Sequence, residues 1–242
     1  MKTAVVLPLL LVFLVGCSHK RVAVSVPQAP PPAQTERLPG SGNSGPQTNS
    51  DETEFPPDAK PLWSETGIAS WYGAPYHNRR ASNGEVYDMH AMTAAHRTLP
   101  LGTIVRVTDT KTGSAVLVRI TDRGPFIEGR IIDLSRSAAE KVGIVQRGTA
   151  EVRIDVLKTP SPMVTGGRWA VQIGAFQREK VARELAARLS RRYRTANVLT
   201  FNSPVGDWWV RIRVKGDLRA RAEEVLHDTT TSEGAIFLVR LD

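Results

Sequence analysis

Residues 115–126 read AVLVRITDRGPF, and this stretch decides how the middle of the chain is interpreted. β-Branched residues recur at every second position from Val116 to Ile120, which is typical of a strand with one buried face. Asp122 ends the run, and the Arg-Gly-Pro that follows turns the chain. A carboxylate therefore stands where a strand meets a loop, and functional residues are often found on loops held by a rigid scaffold.

Similar short runs flank this stretch, each bounded by Gly, Asp or Pro. They cover 67–72, 103–107 and 150–156, and 109–113 between two runs is typical of a hairpin turn. A helix is predicted over Ser135–Val142, opened by Asp133 or Ser135 and closed by Gly143. Many short strands with one short helix favour a closed barrel over a layered α/β sheet.

Residues 167–242 show a different order of elements. Strands are predicted over Trp169–Phe176, Asn197–Phe201, Trp208–Val214 and Ala235–Val239, and helices over Arg178–Arg194 and Leu218–Leu226. The order β-α-β-β-α-β predicts an antiparallel sheet with both helices on one face, leaving the other face free. Strand alternation places Gln172, Trp209, Arg211 and Arg213 on that free face. An aromatic ring with amide and guanidinium donors suits sugar rings and hydroxyls.

The amino-terminal segment is predicted to be an export signal. The apolar run Ala4–Val15 has about a dozen residues, too few for a membrane span and typical of a secretory signal. Leu14-Val15-Gly16-Cys17 resembles the lipobox of bacterial lipoproteins, so residues 1–16 are predicted as signal peptide and Cys17 as the lipidated residue. Alternatives are an exported protein with an incidental cysteine, or a short membrane anchor. Ser18, where inner-membrane retention usually needs Asp, favours the outer membrane, with the body in the periplasm.

Two stretches are predicted as linkers. Residues 17–66 are rich in Pro, Gly, Ser, Thr and Asn and contain few large apolar residues, so we expect a disordered tether. A shorter linker is predicted over 159–166. The folded domains are accordingly predicted at 67–158 and 167–242.

Composition excludes several classes of protein. The chain is 41% hydrophobic and 23% charged, as expected of a globular protein. Its single cysteine excludes an intramolecular disulfide framework and zinc sites built on several thiolates. The net charge of +8 does not indicate nucleic acid, because the signal predicts export and the aromatic residues of RNA-recognition modules are missing. No cofactor motif or zinc-binding HExxH spacing is present in the sequence, so neither cofactor nor metal is expected.

Four ionisable side chains in the first domain are candidates for chemistry: Glu85, Asp88, His96 and Asp122. Cleavage of a glycosidic bond needs a carboxylic acid that protonates the leaving oxygen and negative charge facing the oxocarbenium-like centre. Each residue also has a structural interpretation. The two residues at 85 and 88 suit solvated turns, the histidine suits a packed and hydrogen-bonded position, and Asp122 suits an ion pair with Arg119 or Arg123. Spacing alone leaves both interpretations open.

Longer motifs carry a resemblance to known families. Gly67–Gly73, Ala81–Glu85, Met92–Gly102, Asp122–Phe126 and Arg130–Ser135 resemble the rare lipoprotein A family of bacterial outer-membrane lipoproteins. Trp169–Phe176 and Trp209–Val214 resemble the SPOR (sporulation-related repeat) domain. The resemblance implies a six-stranded double-psi β-barrel, mainly β, followed by a small α+β SPOR domain of βαββαβ order, both after a disordered N-terminal tether.

The resemblance also implies an activity. The resemblance implies an endolytic lytic transglycosylase, which is a carbon–oxygen lyase. Such an enzyme cleaves MurNAc–GlcNAc bonds of peptidoglycan strands lacking stem peptides and leaves 1,6-anhydro ends. The implied place of action is the division septum. The family's functional positions fall on Glu85, Asp88, His96 and Asp122. Asp122 is expected to be the acid/base, with Glu85 or Asp88 raising its pKa and His96 orienting a carboxylate. The alternatives are a non-catalytic, expansin-like wall-binding lipoprotein and a hydrolase related to barrel endoglucanases.

Overall fold

The computed structural model describes residues 55–232 and 234–242. Within that part of the chain, the first domain contains β1 (Trp63–Tyr72), β2 (Thr93–His96), β3 (Ile104–Asp109), β4 (Ala115–Asp122), β5 (Arg130–Ser135), α1 (Arg136–Val142) and β6 (Ala150–Lys158). The second contains β7 (Trp169–Phe176), α2 (Glu179–Arg192), β8 (Asn197–Asn202), β9 (Trp208–Arg213), α3 (Arg219–Asp228) and β10 (Ala235–Arg240). Single 3₁₀ turns lie at Ala74–Tyr76 and Lys215–Asp217.

The first domain is a closed six-stranded barrel, which confirms the predicted double-psi β-barrel. Its strand order is β1-β5-β2-β4-β3-β6, and β6 closes the ring by pairing antiparallel with β1. Two pairs, β1 with β5 and β2 with β4, are parallel. The sequence analysis did not predict β2 or β5 as strands, because Thr-Ala-Ala-His and Arg-Ile-Ile-Asp-Leu-Ser lack an alternating pattern.

The barrel begins before the predicted boundary at residue 67. Residues 63–66 pair with β6, with Trp63 opposite Val156 and Glu65 opposite Ile154. The Arg106 guanidinium also donates hydrogen bonds to the carbonyls of residues 55–57. The carboxyl-terminal part of the predicted tether therefore belongs to the barrel.

Local signals in the barrel match the sequence analysis. The Ser135 hydroxyl accepts a hydrogen bond from the Ala138 amide at the start of α1, and Gly143 ends that helix in the left-handed conformation. Asp109 Oδ1 accepts from the amides of Lys111 and Thr112, which forms the predicted hairpin turn. The apolar side of α1 packs into a core of Val and Ile side chains from the strands.

The second domain confirms the predicted βαββαβ order. Its antiparallel sheet has the strand order β10-β7-β9-β8. Side chains of Trp169, Val171 and Ile173 from β7 pack with Val210 and Ile212 from β9 in one core. The helices α2 and α3 cover this side of the sheet through buried Leu, Ala and Val residues.

The opposite face of the sheet is not free, contrary to the sequence-based expectation. The barrel and the sheet domain belong to one compact unit. Phe126 of the barrel packs against Trp209 and Phe237 of the sheet, with ring centroids 5.2 Å and 5.8 Å apart. The apolar part of this face is buried against the barrel, because large aromatic rings gain free energy by leaving water.

The short linker between the domains is held in place. Arg240 is 1% exposed, and its guanidinium donates hydrogen bonds to the Pro162 carbonyl and the Ser161 hydroxyl. The Trp169 indole donates to the Gly166 carbonyl. These bonds fix a stretch that composition alone indicates as flexible.

The predicted signal peptide at 1–16, the Cys17 lipidation site and the tether up to residue 54 lie outside the described residues. Among the residues that are described, none of the helices combines the length and apolar character needed to cross a bilayer.

Candidate active site

A groove of about 580 Å³ lies between the barrel and the sheet of the second domain. Its barrel wall includes Asp122, Asp133, Ala95, Tyr72 and Tyr76. Its other wall comes from the second domain and includes Gln172, Phe201, Asn202, Trp209 and Arg211. Concave sites with a few convergent polar groups among aromatic side chains are typical of ligand-binding sites.

The floor of the groove is a row of three residues on adjacent strands. Ala95 on β2 lies opposite Asp122 on β4 and also opposite Asp133 on β5. Neighbouring strands lie about 4.8 Å apart, so the two aspartate backbones are roughly 10 Å apart with a methyl group between them. Ala95 and both aspartates line the groove, together with Gly124 of the loop after β4.

A register shift brings Asp122 into this row. Ala94 pairs with Ile120, but Ala95 pairs with Asp122, so one extra residue of β4 lies between the two pairs. Such bulges turn a side chain to a different face of the strand and are common next to active sites. Ile120 stays in the core, while Asp122 lines the groove.

Three hydrogen bonds orient the Asp122 carboxylate. Its Oδ1 accepts from the Ser82 amide at 3.0 Å, from the Ser82 hydroxyl at 2.5 Å and from the Arg123 amide at 2.7 Å. The side chain is therefore fixed by the loop that contains Ser82, as required of a group that must face a reacting atom.

Asp133 has a different environment. Its side chain is 15% exposed, Oδ1 accepts from the Ser70 hydroxyl at 2.7 Å, and Oδ2 accepts from Arg130 at 3.1 Å. Burial raises the pKa of the Asp133 carboxyl, and this effect exceeds the opposing effects of Arg130, Ser70 and Arg97. Asp133 is therefore a carboxyl group with a raised pKa in this groove.

Aromatic side chains form the wall beside the carboxyl groups. The Tyr72 ring stacks on Tyr87 at 4.3 Å and meets Tyr76 edge-on at 5.7 Å. Burial raises the pKa of the Tyr72 hydroxyl, and the nearby Asp122 raises it further, so this hydroxyl keeps its proton. The wall combines flat apolar rings with hydroxyl groups, which suits the faces and edges of sugar rings.

Of the four predicted catalytic residues, Asp122 alone lines the groove. His96 is 4% exposed and follows Ala95 on β2, so alternation turns its ring away from the groove. His96 Nδ1 accepts from the amides of Thr98 and Leu99, which leaves Nε2 as the donor to Glu65 at 3.4 Å. Burial lowers the pKa of His96 more than Glu65 raises it, so the ring is neutral at neutral pH. This is the packed, hydrogen-bonded position of the structural interpretation.

Glu85 and Asp88 also lie outside the groove lining. Glu85 forms a two-pronged ion pair with Arg119 at 2.8 Å and 3.1 Å. The hydrogen bonds from Arg119 are the main reason that the pKa of Glu85 is lowered. Glu85 lies in the same loop as Ser82, which donates to Asp122. Asp88 is exposed and accepts a hydrogen bond from the His90 amide, as in a local turn.

The predicted sugar-binding residues of the second domain divide into three groups. Arg211 lines the groove, and both Gln172 (1% exposed) and Trp209 (8% exposed) lie in its wall where the barrel covers them. Arg213 is not among the groove residues, since its guanidinium is paired with Asp217.

Sequence reasoning missed Asp133 and Ala95 as residues of the groove. Asp133 occurs in a quoted motif, but a role in the groove depends on β5 pairing with β2, which no local pattern indicated. Among the described residues, no cluster of three or more His, Cys, Asp and Glu side chains is arranged to hold a metal ion.

Comparison with known families agrees with this geometry. A family model described as lytic transglycolase matches residues 64–154, and the SPOR domain model matches residues 165–225. The first match covers the barrel with both groove aspartates, and the second covers most of the sheet domain. The fold and site thus define a double-psi β-barrel protein with a SPOR domain and a two-aspartate groove.

Curated relatives specify the family. Endolytic peptidoglycan transglycosylase RlpA of Vibrio cholerae is 56% identical over 100 residues, which are 41% of this chain and 38% of that protein. The Campylobacter jejuni protein of the same name is 38% identical over 178 residues, 64% of each chain. The family models and these relatives together support a relationship to the RlpA family.

The extent of these matches is partial. The alignment spans 38% and 39% of the length of the first curated relatives. Among solved structures, an expansin of Clavibacter michiganensis aligns with 74% of this chain and 90% of its own at 15% identity, and the TM-score of 0.34 supports no argument.

The raised pKa of Asp133 predicts a pH effect on stability. Folding raises this pKa above its ordinary value of 3.8, so the unfolded chain releases the proton first. The contribution of Asp133 to stability is therefore greatest below that value and falls as pH rises to the folded pKa. The ¹³C carboxyl titration of Asp133 is expected above the range of an ordinary aspartate. An ordinary or lower titration midpoint would contradict the assignment.

Proposed function

We propose that this protein is an endolytic lytic transglycosylase that cleaves MurNAc–GlcNAc bonds of peptidoglycan strands, preferentially strands that lack stem peptides. The observation that carries the proposal is the pair of aspartates flanking Ala95 in one groove. The names of the relatives and the lytic transglycolase model support the reaction class. The SPOR match supports binding to the same polymer.

In this mechanism Asp133 moves the proton. In the acid form, the Asp133 carboxyl gives its proton to the glycosidic oxygen as the C1–O bond breaks, and the direction of its pKa shift favours that form. The C6 hydroxyl of the same MurNAc residue attacks C1 and passes its proton to the Asp133 carboxylate. A 1,6-anhydro ring forms, the acid is restored, and no water molecule has to be activated.

Asp122 stabilises the charge that develops at C1. Its carboxylate is held by the Ser82 and Arg123 donors and faces the groove from the other side of Ala95. Negative charge at a fixed position lowers the energy of an oxocarbenium-like centre without reorganisation during the reaction. The sequence analysis expected Asp122 to transfer the proton. In this proposal Asp133 does so, and Asp122 keeps a catalytic role.

Product analysis tests both roles. The full chain is incubated with amidase-treated peptidoglycan, and the released fragments are analysed by mass spectrometry. Wild type is expected to give 1,6-anhydro ends. Asp133→Asn and Asp122→Asn are each expected to lower the rate by about 10²-fold or more, the usual contribution of such groups.

The matched control is Asp228→Asn, the same chemical change at an exposed position in the last turn of α3. It is expected to keep the wild-type rate. Reducing ends in place of anhydro ends would indicate hydrolysis. Binding without any product would indicate the expansin-like alternative, and an active Asp133→Asn variant would remove the proposed proton carrier.

The location of the protein is part of the proposal. The SPOR match and the RlpA relatives support association with cell-envelope peptidoglycan, enriched at the division septum. The sequence pattern ending at Cys17 supports lipid attachment there and anchoring at the periplasmic face of the outer membrane. Two or more acyl chains on one cysteine hold a protein durably on a bilayer.

Lipidation is tested by metabolic labelling with palmitate. Incorporation is expected in the wild-type chain and is expected to be lost in Cys17→Ser, with the protein moving to the soluble fraction. Equal labelling of both chains would contradict the assignment of Cys17.

A further inference from the structure

The sheet of the second domain forms one wall of the groove that contains the two aspartates. Phe201, Asn202 and Arg211 line the same cavity as Asp122 and Asp133. A sugar chain lying in the groove would therefore meet side chains from both domains.

Contacts between the domains fix the position of this wall. Phe126, which follows the Asp122 loop, is in contact with Trp209 and Phe237. The Arg97 guanidinium lies over the Phe237 ring at 5.4 Å. These contacts combine aromatic packing with a cation–π interaction, and Trp209 and Phe237 are buried, so the second domain has a defined position relative to the groove.

A second set of contacts joins the domains next to Asp122. The Arg123 guanidinium donates to the carbonyls of His96 and Leu99 in the barrel and to the Asp242 backbone oxygen at 2.5 Å in the second domain. The Arg240 amide donates to the Arg97 carbonyl at 3.0 Å. Burial is the main cause that lowers the pKa of Arg123, to about 10, so it still carries its charge at neutral pH.

The side chains on this wall suit a sugar chain. The Arg211 guanidinium lies 4.8 Å above the Phe201 ring. Its Nε and Nη2 groups donate to Gln172 Oε1 at 3.1 Å and 2.6 Å, which holds the guanidinium plane in one orientation. A fixed guanidinium donates in a defined direction to hydroxyl, acetamido or carboxylate oxygens, and the aromatic ring packs against sugar C–H groups.

Charged groups from both walls of the groove act on the same side chain, Tyr76. After burial, the charges of Asp133 and of Asp207 are the next causes that raise the pKa of Tyr76. Tyr76 belongs to the barrel wall, and Asp207 belongs to the turn between β8 and β9. The pKa of Tyr76, a barrel residue, is therefore raised by carboxyl groups of both domains.

We propose that Phe201 and Arg211 hold the same segment of glycan that the barrel cleaves, so that the second domain completes the substrate site instead of binding a separate segment of the wall. The proposal rests on the proposed function for its substrate class, a stem-peptide-free glycan strand. The test measures both binding and cleavage of the glycan. Binding reports on the shared site, and cleavage reports on the proposed reaction.

A short substrate distinguishes a shared site from two separate sites. The probe is a soluble, stem-peptide-free glycan of about six sugars, used with the full chain. Binding is measured by calorimetry on an Asp133→Asn background, and cleavage on the otherwise wild-type chain. Arg211→Gln and Phe201→Leu are each expected to weaken binding about tenfold and to lower kcat/KM by a similar factor, which corresponds to about 1.4 kcal/mol.

The matched control is Arg188→Gln, at an exposed position of α2, the helix that covers the side of the sheet opposite the groove. It is expected to leave binding and cleavage unchanged. Thermal unfolding of each variant checks that the second domain is folded. Unchanged binding of the short glycan by both Arg211→Gln and Phe201→Leu would overturn the shared site.

The Phe237→Ala variant tests whether the contact between the two domains speeds or slows cleavage of the glycan. Phe237 contacts Phe126 and Arg97 but does not line the groove. Loosening the contact is expected to lower cleavage of the short glycan severalfold. Faster cleavage would show that the second domain covers the groove as an inhibitor, which would also overturn the proposal. If the wild-type chain binds the glycan but makes no product, the proposed reaction fails while the shared binding site stands.

Discussion

Strand β2 is only four residues long, and its hydrogen bonds to β4 on one side and β5 on the other determine where the two groove carboxyl groups lie. A strand paired on both sides cannot shift register without moving every side chain to the opposite face. Ala95 is thereby held between Asp122 and Asp133 in the lining of the groove. The positions of the reactive groups follow from this pairing, although each aspartate is contributed by a different strand.

The two aspartates differ in their surroundings. That difference underlies their separate roles in the proposed reaction, Asp133 as the proton carrier and Asp122 as the charge stabiliser. Asp122 is held by backbone and hydroxyl donors, whereas Asp133 is largely buried and has a raised pKa. Glycosidic bond cleavage requires both an acid and a negative charge near the same sugar. Glu85, paired with Arg119, lies in the same loop as Ser82, which donates to Asp122.

Local patterns were sufficient to predict most of the fold. The strands of the second domain, the hairpin at Asp109 and the helix opened by Ser135 all follow from alternation, turn residues and capping. The groove was not predictable in the same way, because Asp133 reaches it through a non-local pairing. His96 was placed in the site by its motif and by the family resemblance, whereas it is absent from the groove lining because it follows Ala95 on the strand. The sheet face of the second domain was expected to be free because secondary structure order does not report docking between domains.

The groove of the barrel has its second wall in the neighbouring domain, and the proposed reaction takes place between the two. Docking through Phe126 and Arg123 places aromatic and guanidinium groups opposite the carboxyl groups. A groove with walls on both sides has less room for bulky substituents than an open surface. This geometry is consistent with a preference for strands without stem peptides.

A crystal structure of the full-length Asp133→Asn variant with a stem-peptide-free glycan bound is the most direct test of the central claim. The account predicts a sugar ring in the groove between the two domains, its glycosidic oxygen beside residue 133 and its anomeric carbon facing Asp122. A glycan bound elsewhere, with no sugar in the groove, would contradict it.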